Sequence, residues 1–154
     1  MAIVGVLSDT HGLLRPELRV HFGGVDRIIH AGDFDDAQTL SHLAGMAELT
    51  AVRGNCDRGA WANPLPEIDF LPLAGHTICV VHSLHSLALD LAAARISVVV
   101  FGHTHVPHNE SRGGILYFNP GSAGPIRPGK PTTIGKLHFE HGKVRGEIIQ
   151  LVPG

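Results

Sequence analysis

Two histidines stand one residue apart after an apolar run in the segment VVVFGHTH, at His103 and His105. Residues i and i+2 of an extended chain point to the same side of the backbone. Two imidazoles on one side of a strand end could bind metal if other ligand types lie at the ends of neighbouring strands. The chain contains 12 histidines in 154 residues, more than surface positions usually explain, so their placement requires analysis.

Four further apolar runs end in polar residues of the same kind. The first run ends in SDTHG, the second in HAGD, the third in GNCD and a later one in VVHS. Because ligands of α/β sheets bind at the carboxyl ends of the strands, we expect these side chains to converge. The seven candidate metal ligands are Asp9, His11, Asp33, Asn55, His82, His103 and His105.

The chemical types in this set indicate what it could bind. Two carboxylates, one amide oxygen and four imidazoles require no thiolate, which argues against a structural zinc site built on cysteine. Mixed nitrogen and oxygen ligands suit Mn²⁺, Fe²⁺, Zn²⁺, Co²⁺ or Ni²⁺. One ion would not use seven ligands, so we expect two ions about 3.5–4 Å apart. With two carboxylates and one bridging hydroxide, such a centre keeps a net positive charge that attracts a phosphate anion.

Alternating strand and helix patterns position these residues. Strands are predicted at 2–8, 26–32, 48–54, 76–82, 96–102 and 115–121, followed by a hairpin over 133–151 that turns at His141-Gly142. Helices are predicted at 15–22, at 35–46 with Asp35 or Asp36 as N-cap, and after Ser83, where apolar residues recur at helical spacing. We therefore expect a single α/β domain, 1–154, with one sheet or two packed sheets flanked by helices.

Composition excludes several classes of protein. The formal net charge is −2 with no block of Lys or Arg, so neither long nucleic acid nor an anionic membrane is an expected partner. No window reaches the roughly 18 apolar residues of a membrane helix, and the N-terminal run reads as a strand, not as a signal peptide. Two cysteines without CxxC spacing indicate a reducing cytoplasm.

In order and spacing, these blocks resemble the calcineurin-like metallophosphoesterases, specifically their small single-domain bacterial and archaeal phosphodiesterase branch. SDTHG resembles the D-x-H block, HAGD the G-D block, GNCD the G-N-x-D block, VVHS the strand-ending histidine and GHTH the G-H-x-H block. FNPGS also resembles a turn of that branch. The resemblance implies a four-layer αββα sandwich, in which two packed mixed sheets are flanked by helices.

The resemblance also implies how the ligands divide. One ion would be held by Asp9, His11, Asp33 and His105. The other would be held by Asp33, Asn55, His82 and His103. Asp33 would bridge the ions, and a metal-bridging hydroxide would attack the phosphorus of a small phosphodiester. Asp33, Asn55 and His82 are the expected catalytic residues, and Mn²⁺ is the expected ion, with Ni²⁺, Zn²⁺, Fe²⁺ and Co²⁺ also compatible.

The chain departs from the family pattern in two places. The block around His82 often reads T-H-G-H, whereas here a second histidine follows only at His85. Candidate substrate contacts are therefore His85, Asn55 and Arg127, the last in the loop 119–131. Cys56 stands where many relatives have a histidine that assists the leaving group, so we expect poor attack on esters with very basic leaving groups.

Other interpretations remain. Each motif alone could be structural: Asp33 a helix cap, Asn55 a turn residue, and Asp57 either a turn cap or a residue that orients a ligand. A buried strand residue is the expected role of His30. A non-catalytic scaffold, like the retromer subunit that uses this fold with an impaired ligand set, is the second functional hypothesis. A metallohydrolase barrel needs about 250 residues, more than this chain has. The sequence leaves a homodimer open.

Overall fold

Two five-stranded β-sheets packed face to face form most of the structure, a computed structural model that describes residues 1–152. The strands of the described chain are β1 (Ala2–Leu7), β2 (Arg27–His30), β3 (Glu48–Ala51), β4 (Ile68–Leu73), β5 (His76–Val81), β6 (Val98–Val100), β7 (His108–Arg112), β8 (Ile115–Asn119), β9 (Thr132–Glu140) and β10 (Lys143–Val152). Its α-helices are α1 (Glu17–His21) and α2 (Ala37–Ala44), with short 3₁₀ turns at Ala60–Ala62 and Leu84–Ser86.

Each sheet combines three parallel strands with two strands that pair in antiparallel fashion. The first sheet has the strand order β10-β9-β1-β2-β3, in which β1, β2 and β3 are parallel. In the second sheet the order is β4-β5-β6-β8-β7, with β5, β6 and β8 parallel. The carboxyl ends of parallel strands meet at one edge of a sheet, so each sheet delivers several loops to a common edge.

The central strands are buried on both faces, which explains their continuous apolar sequences. Val4 and Val6 of β1 face the core between the sheets, together with Val98 and Val100 of β6. The next residue of β1, Leu7, faces outward and packs with Leu18 and Leu43 of the two helices. The helices thus cover the outer face of the first sheet.

The predicted strands and the final hairpin are confirmed. At the hairpin turn, His141 and Gly142 both have positive φ, 53° and 74°, as a two-residue primed turn requires. Of the two predicted caps for α2, Asp36 is the one that acts, since its carboxylate accepts a hydrogen bond from the Thr39 N–H at 2.9 Å. The predicted architecture of two packed mixed sheets is also confirmed.

The helix predicted after Ser83 is wrong. Ser83 does accept a hydrogen bond from the backbone of His85, but only the 3₁₀ turn follows, and Leu87 is extended (φ −91°, ψ 106°). A separate turn then begins at Asp90, whose carboxylate accepts the Ala93 N–H. Short polar side chains that bond nearby backbone groups compete with helix formation in this way. The layer outside the second sheet is therefore built of turns.

Two strands were not predicted, β4 and β7. Pro72 interrupts the strand pattern of β4, and β7 has the polar sequence HNESR. Both strands lie at the edges of the second sheet. Proline and charged residues are common on edge strands, where they discourage pairing with another chain, and they remove the apolar alternation that identifies a strand. No helix within residues 1–152 is long and apolar enough to cross a membrane.

Candidate metal centre

The loops that follow β1, β2, β3, β5 and β6 meet at one edge of the sandwich and bring the seven predicted ligands together. Contacts between these loops are short. The Asp9 Oδ1 atom lies 3.2 Å from His105 Nε2, and Asn55 Oδ1 lies 3.0 Å from His82 Nε2 and 3.2 Å from His103 Nδ1. Asp9, His82 and His105 are buried, whereas Asn55 and His103 are exposed. The cluster therefore opens to solvent on the side of those last two residues.

Asp33 lies between the two halves of the cluster. Its Oδ2 atom is 3.3 Å from His82 Nε2 and 3.9 Å from His11 Nε2, while its Oδ1 atom accepts the Cys56 N–H at 2.9 Å. Burial raises the pKa of the Asp33 carboxyl, but hydrogen bonds from the protonated form of His82 and from the Cys56 N–H outweigh burial and hold that pKa well below its usual range. Asp33 is therefore a carboxylate with one oxygen directed at imidazoles from both halves.

The imidazole of His82 is oriented so that its second nitrogen faces oxygen atoms. His82 Nδ1 donates to the carbonyl of Ala31 at 2.7 Å, which leaves Nε2 without a proton in the neutral ring. That lone pair faces the oxygens of Asp33 and Asn55. Burial lowers the pKa of His82, yet the hydrogen bond with Asp33 and the charges of Asp33 and Asp9 raise it overall. The oxygen atoms around Nε2 thus favour a cation between them.

The other half of the cluster contains two buried polar atoms that have no hydrogen-bond partner in the described chain: Asp9 Oδ1 and His11 Nε2. They lie 3.9 Å apart, and His105 Nε2 also faces Asp9 Oδ1. The second oxygen of Asp9 is satisfied, because it accepts hydrogen bonds from Ser8 Oγ at 2.6 Å and from the His103 N–H at 3.1 Å. Buried groups without partners cost stability, and a binding site for an ion is one common reason for them.

Both halves therefore fit divalent cations. Ligand atoms of Asp9, His11 and His105 lie within 4.8 Å of one another, as do those of Asp9, Asp33 and His82. In each group lone pairs face lone pairs, an arrangement that is repulsive without a cation and favourable around one. The donor set of carboxylate, amide oxygen and imidazole suits first-row transition metals. That the seven residues act as ligands stays a prediction.

Strained backbone accompanies these positions. Nine non-glycine residues within residues 1–152 have φ between 47° and 72°, a region that costs non-glycine residues free energy. Five of the nine are candidate ligands, namely Asp9, His11, Asp33, His103 and His105. Such strain concentrates at functional sites, where the surrounding structure enforces it.

Two glycines are required by the close approach of these loops. A Cβ atom at Gly54 would lie 2.1 Å from Asp33 Oδ1, and one at Gly102 would lie 2.1 Å from Ser8 Oγ and 2.7 Å from Asp9 Oδ2. Real Cβ atoms do not come so close to other heavy atoms. The glycines that precede Asn55 and His103 therefore allow the loops after β3 and β6 to reach the carboxylates.

Comparison with known proteins identifies the family. Residues 1–142 match the model of the calcineurin-like phosphoesterase superfamily domain. The chain belongs to this superfamily. It is 32% identical to a probable metallophosphoesterase from Methanocaldococcus jannaschii, over 97% of this chain and 81% of the relative. It is 33% identical to the phosphodiesterase YfcE of Escherichia coli K12, over 66% of this chain and 57% of that protein.

The chain is also similar to solved structures with this phosphoesterase fold. A novel archaeal phosphodiesterase superposes with a TM-score of 0.77 at 25% identity, covering 96% of this chain and 99% of the other. The vacuolar protein sorting 29 protein of Cryptosporidium parvum also gives 0.77, at 16% identity, over 99% and 98% of the two chains. The second likeness concerns the fold alone. The resemblance predicted from the motifs is confirmed, and the chain is a metal-dependent phosphoesterase.

A buried carboxylate of the phosphoesterase, Asp57, holds two ligand loops together. Its Oδ2 atom accepts the N–H groups of Asp33 and Gly54 at 2.9 Å each, and its Oδ1 atom accepts the Asp35 N–H at 2.9 Å. Of the two roles considered from sequence, the contacts support orientation of the neighbouring ligands, because the three amides belong to the loops that carry Asp33 and Asn55.

Sequence reasoning missed the role of Asp35, which it considered only as a helix cap. Asp35 Oδ2 lies 2.9 Å from His11 Nδ1, so the carboxylate accepts that proton and leaves His11 Nε2 free to bind a cation. Carboxylates that hold a histidine ligand in this way fix its tautomer and orientation. Asp35 also has positive φ, 70°. Only its position two residues after Asp33 could have drawn attention to it.

His30 connects two ligand loops from the core. It is fully buried, its Nδ1 atom accepts the Gly32 N–H at 3.0 Å, and its Nε2 atom therefore donates to Thr10 Oγ1 at 3.0 Å. Its ring also stacks on Phe34, with centroids 3.5 Å apart. Burial lowers the pKa of His30 to about 3, so the ring is neutral. The structural role expected for His30 thus includes support of the loops that carry Asp9 and Asp33.

Replacing Asp35 with alanine should lower the affinity for Mn²⁺ by about tenfold or more, because His11 loses the carboxylate that orients it. Isothermal titration of the full chain with Mn²⁺ measures this change. Asp36→Ala is the matched control: it removes the cap of α2, at a cost of about 1 kcal/mol, and should leave Mn²⁺ affinity unchanged. Equal affinities for Asp35→Ala and the parent chain would refute the role of Asp35.

The pKa of His30 predicts a loss of stability in acid. Between its unfolded value of about 6.5 and its folded value of about 3, the unfolded chain binds more protons, so stability falls as the pH falls through this window. Urea unfolding at pH 7 and pH 5 should show a loss smaller by about 1–2 kcal/mol in His30→Gln than in the parent chain. His141→Gln, at the exposed hairpin turn, should match the parent, and an unchanged loss in His30→Gln would contradict the prediction.

Proposed function

We propose that this phosphoesterase hydrolyses small phosphodiesters with two divalent cations held at the seven-residue cluster. The observation that carries the proposal is the position of Asp33 Oδ2, directed at imidazoles of both halves at 3.3 and 3.9 Å. One carboxylate so placed can bridge two ions. Asp9, His11 and His105 would complete one site, and Asn55, His82 and His103 the other.

Two bound ions would lower the pKa of water and offset the charge that develops on the phosphoryl oxygens. The chain's own residues fix where this chemistry happens. Asp57 and Asp35 orient Asp33 and His11, and the Ala31 carbonyl keeps the proton of His82 on Nδ1. With two divalent cations present, their positive charge would exceed the negative charge of the two buried carboxylates, so the site would attract a phosphate.

A cavity of about 400 Å³ beside the cluster suits the substrate. Its walls include Asn55, His82 and His103 together with His85 and Arg53. Because the first three are candidate ligands, a diester whose phosphorus lies at the ions would extend along this wall. His85 is exposed in the middle of the 3₁₀ turn after β5, where its imidazole can meet a phosphate oxygen.

Arg127 is a further proposed substrate contact, besides Asn55 and His85. It is exposed, and it pairs with Lys130 in an isolated bridge within the turn after Gly124. Lys130 Nζ donates to the Thr104 carbonyl at 3.0 Å, which ties this turn to the loop that carries His103 and His105. The structure gives no direct contact between Arg127 and the candidate ligands within the described residues.

The leaving group receives little help from Cys56. This side chain is exposed, while partial burial and the nearby charges of Asp33 and Asp35 raise the pKa of the thiol. A neutral thiol with a high pKa is a poor proton donor to a leaving alkoxide and a poor nucleophile. Diesters with good leaving groups, such as aryl esters, are therefore the expected substrates.

Several finer statements belong to the same proposal. Mn²⁺ is the expected ion, a cytoplasmic location follows from the cysteine usage, and residues 1–154 are expected to form a single domain, with a homodimer left open. For the scaffold hypothesis, the likeness to vacuolar protein sorting 29 concerns only the fold, which does not favour either function. The scaffold hypothesis is weakened because all seven candidate ligand residues are present and their lone pairs face one another.

The chain loaded with Mn²⁺ should hydrolyse bis-p-nitrophenyl phosphate, and the release of p-nitrophenolate measures this activity. Asp33→Asn should lower kcat/KM by about 10³-fold or more, because loss of a shared ligand removes several kcal/mol of transition-state stabilisation. Asp69→Asn on β4, outside the cluster, is the control and should keep full activity. A chain that binds two Mn²⁺ ions but leaves the diester intact would favour the scaffold instead.

The two proposed substrate contacts that are not candidate metal ligands, His85 and Arg127, predict effects on KM. His85→Ala and Arg127→Ala should each raise KM for the same diester by about tenfold or more, the loss expected for one hydrogen bond to a charged group, with kcat within about twofold of the parent. His141→Ala provides the exposed histidine control. An unchanged KM in either variant removes that residue from the substrate site.

A further inference from the structure

A second cavity, of about 540 Å³, lies between α1, α2 and the loop that follows His11. Its size falls in the range of pockets that hold small organic molecules. It is separate from the 400 Å³ cavity at the ligand cluster, since the residues that line the two are different. Neither the motifs nor the catalytic proposal assigns it a role.

The cavity combines cationic and apolar walls. The residues that decide its chemistry are Arg15, Arg19, His42, Leu14, Leu18 and Met46. The two arginines come from the loop after His11 and from α1, and His42 comes from the last turn of α2. A molecule with an acidic group and an apolar body would match both kinds of wall.

Arg15 has hydrogen-bonding capacity that the described chain leaves unused. One terminal nitrogen, Nη2, donates to the Gly124 carbonyl at 3.1 Å, which holds the guanidinium in place. Its Nε atom is buried and has no partner within residues 1–152. A buried charged donor without an acceptor is costly, and a guanidinium held at one end is well suited to present its remaining donors to an anion.

The charges around the cavity favour an anion on balance. Asp36 is the acidic residue of the lining, and its carboxylate already accepts the Thr39 N–H as the cap of α2. Two guanidinium groups oppose this single carboxylate.

The cavity also borders the candidate metal centre. Gly12 in its wall follows His11, and Asp36 follows Asp35, which bonds to His11. The Gly124 residue that Arg15 contacts packs so tightly on Asp9 that a Cβ atom there would lie 2.5 Å from the Asp9 carbonyl oxygen. A ligand in the cavity would therefore touch the loops that carry Asp9, His11 and Asp33.

We propose that this cavity is a binding site for a small organic anion, a carboxylate or phosphate group joined to an apolar body. The acidic group binds between Arg15 and Arg19, and the apolar part lies on Leu14, Leu18 and Met46. Binding at this site does not depend on catalysis at the ligand cluster, so this proposal can be tested independently of the phosphodiesterase proposal.

Nuclear magnetic resonance on the ¹⁵N-labelled full chain loaded with Zn²⁺ tests the site, with phenylphosphonate as the probe. The Nε–Hε signal of Arg15, assigned by its loss in Arg15→Lys, should shift as the probe binds. The dissociation constant should rise about tenfold in Arg19→Gln, which loses one charged contact. It should be unchanged in Arg145→Gln, which removes an exposed arginine of β10. Benzyl alcohol, which lacks the acidic group, should leave the Arg15 signal in place.

Because the probe could also bind the metal centre, the location of the shifts decides the result. Movement of the His82 and His103 signals alone, with the Arg15 Nε–Hε signal unchanged, would overturn the proposal. An equal dissociation constant for Arg19→Gln and the parent chain would also overturn it. Either result leaves the catalytic proposal untouched, since that depends on hydrolysis at the ligand cluster.

Discussion

Electron pairs that face one another at the edge of the sandwich are the constraint on which the rest of the structure depends. Asp9 Oδ1, Asp33 Oδ2, Asn55 Oδ1 and the free nitrogens of His11 and His82 lie within about 4 Å of their neighbours, with few protons available to separate them. Cations resolve this conflict. Without cations, the nearby carboxylates raise the pKa of His82, which favours a proton in the same space.

The fold supplies the rigidity that holds such a cluster together. Five candidate ligands have left-handed backbone, each at a cost of about 1–3 kcal/mol. The two sheets offset this cost by burying apolar residues on both faces of the central strands. Asp57 then fixes the loops after β2 and β3 through three backbone amides, and His30 fixes the loops after β1 and β2 from the core. A few buried polar groups behind the candidate ligands therefore fix the geometry of the site.

Much of the fold and of the candidate site could be predicted, because parallel strands and the residues at their carboxyl ends have recognisable sequence patterns. Continuous apolar runs identified β1, β5 and β6, and the residues after them identified the cluster. The edge strands β4 and β7 have no such pattern, since Pro72 interrupts β4 and the sequence HNESR of β7 is polar. The helical spacing after Ser83 was misleading because Asp90 starts a separate turn. Asp35 could not be assigned, because its role depends on His11, 24 residues earlier, and spacing alone cannot show a pair that the fold brings together.

Anomalous scattering at the manganese edge, from crystals grown with Mn²⁺, tests the central claim most directly. The account predicts two peaks about 3.5–4 Å apart, one beside Asp9, His11 and His105 and one beside Asn55, His82 and His103, with the Asp33 carboxylate between them. A single peak, or none at saturating Mn²⁺, would contradict the shared-carboxylate centre and with it the proposed chemistry.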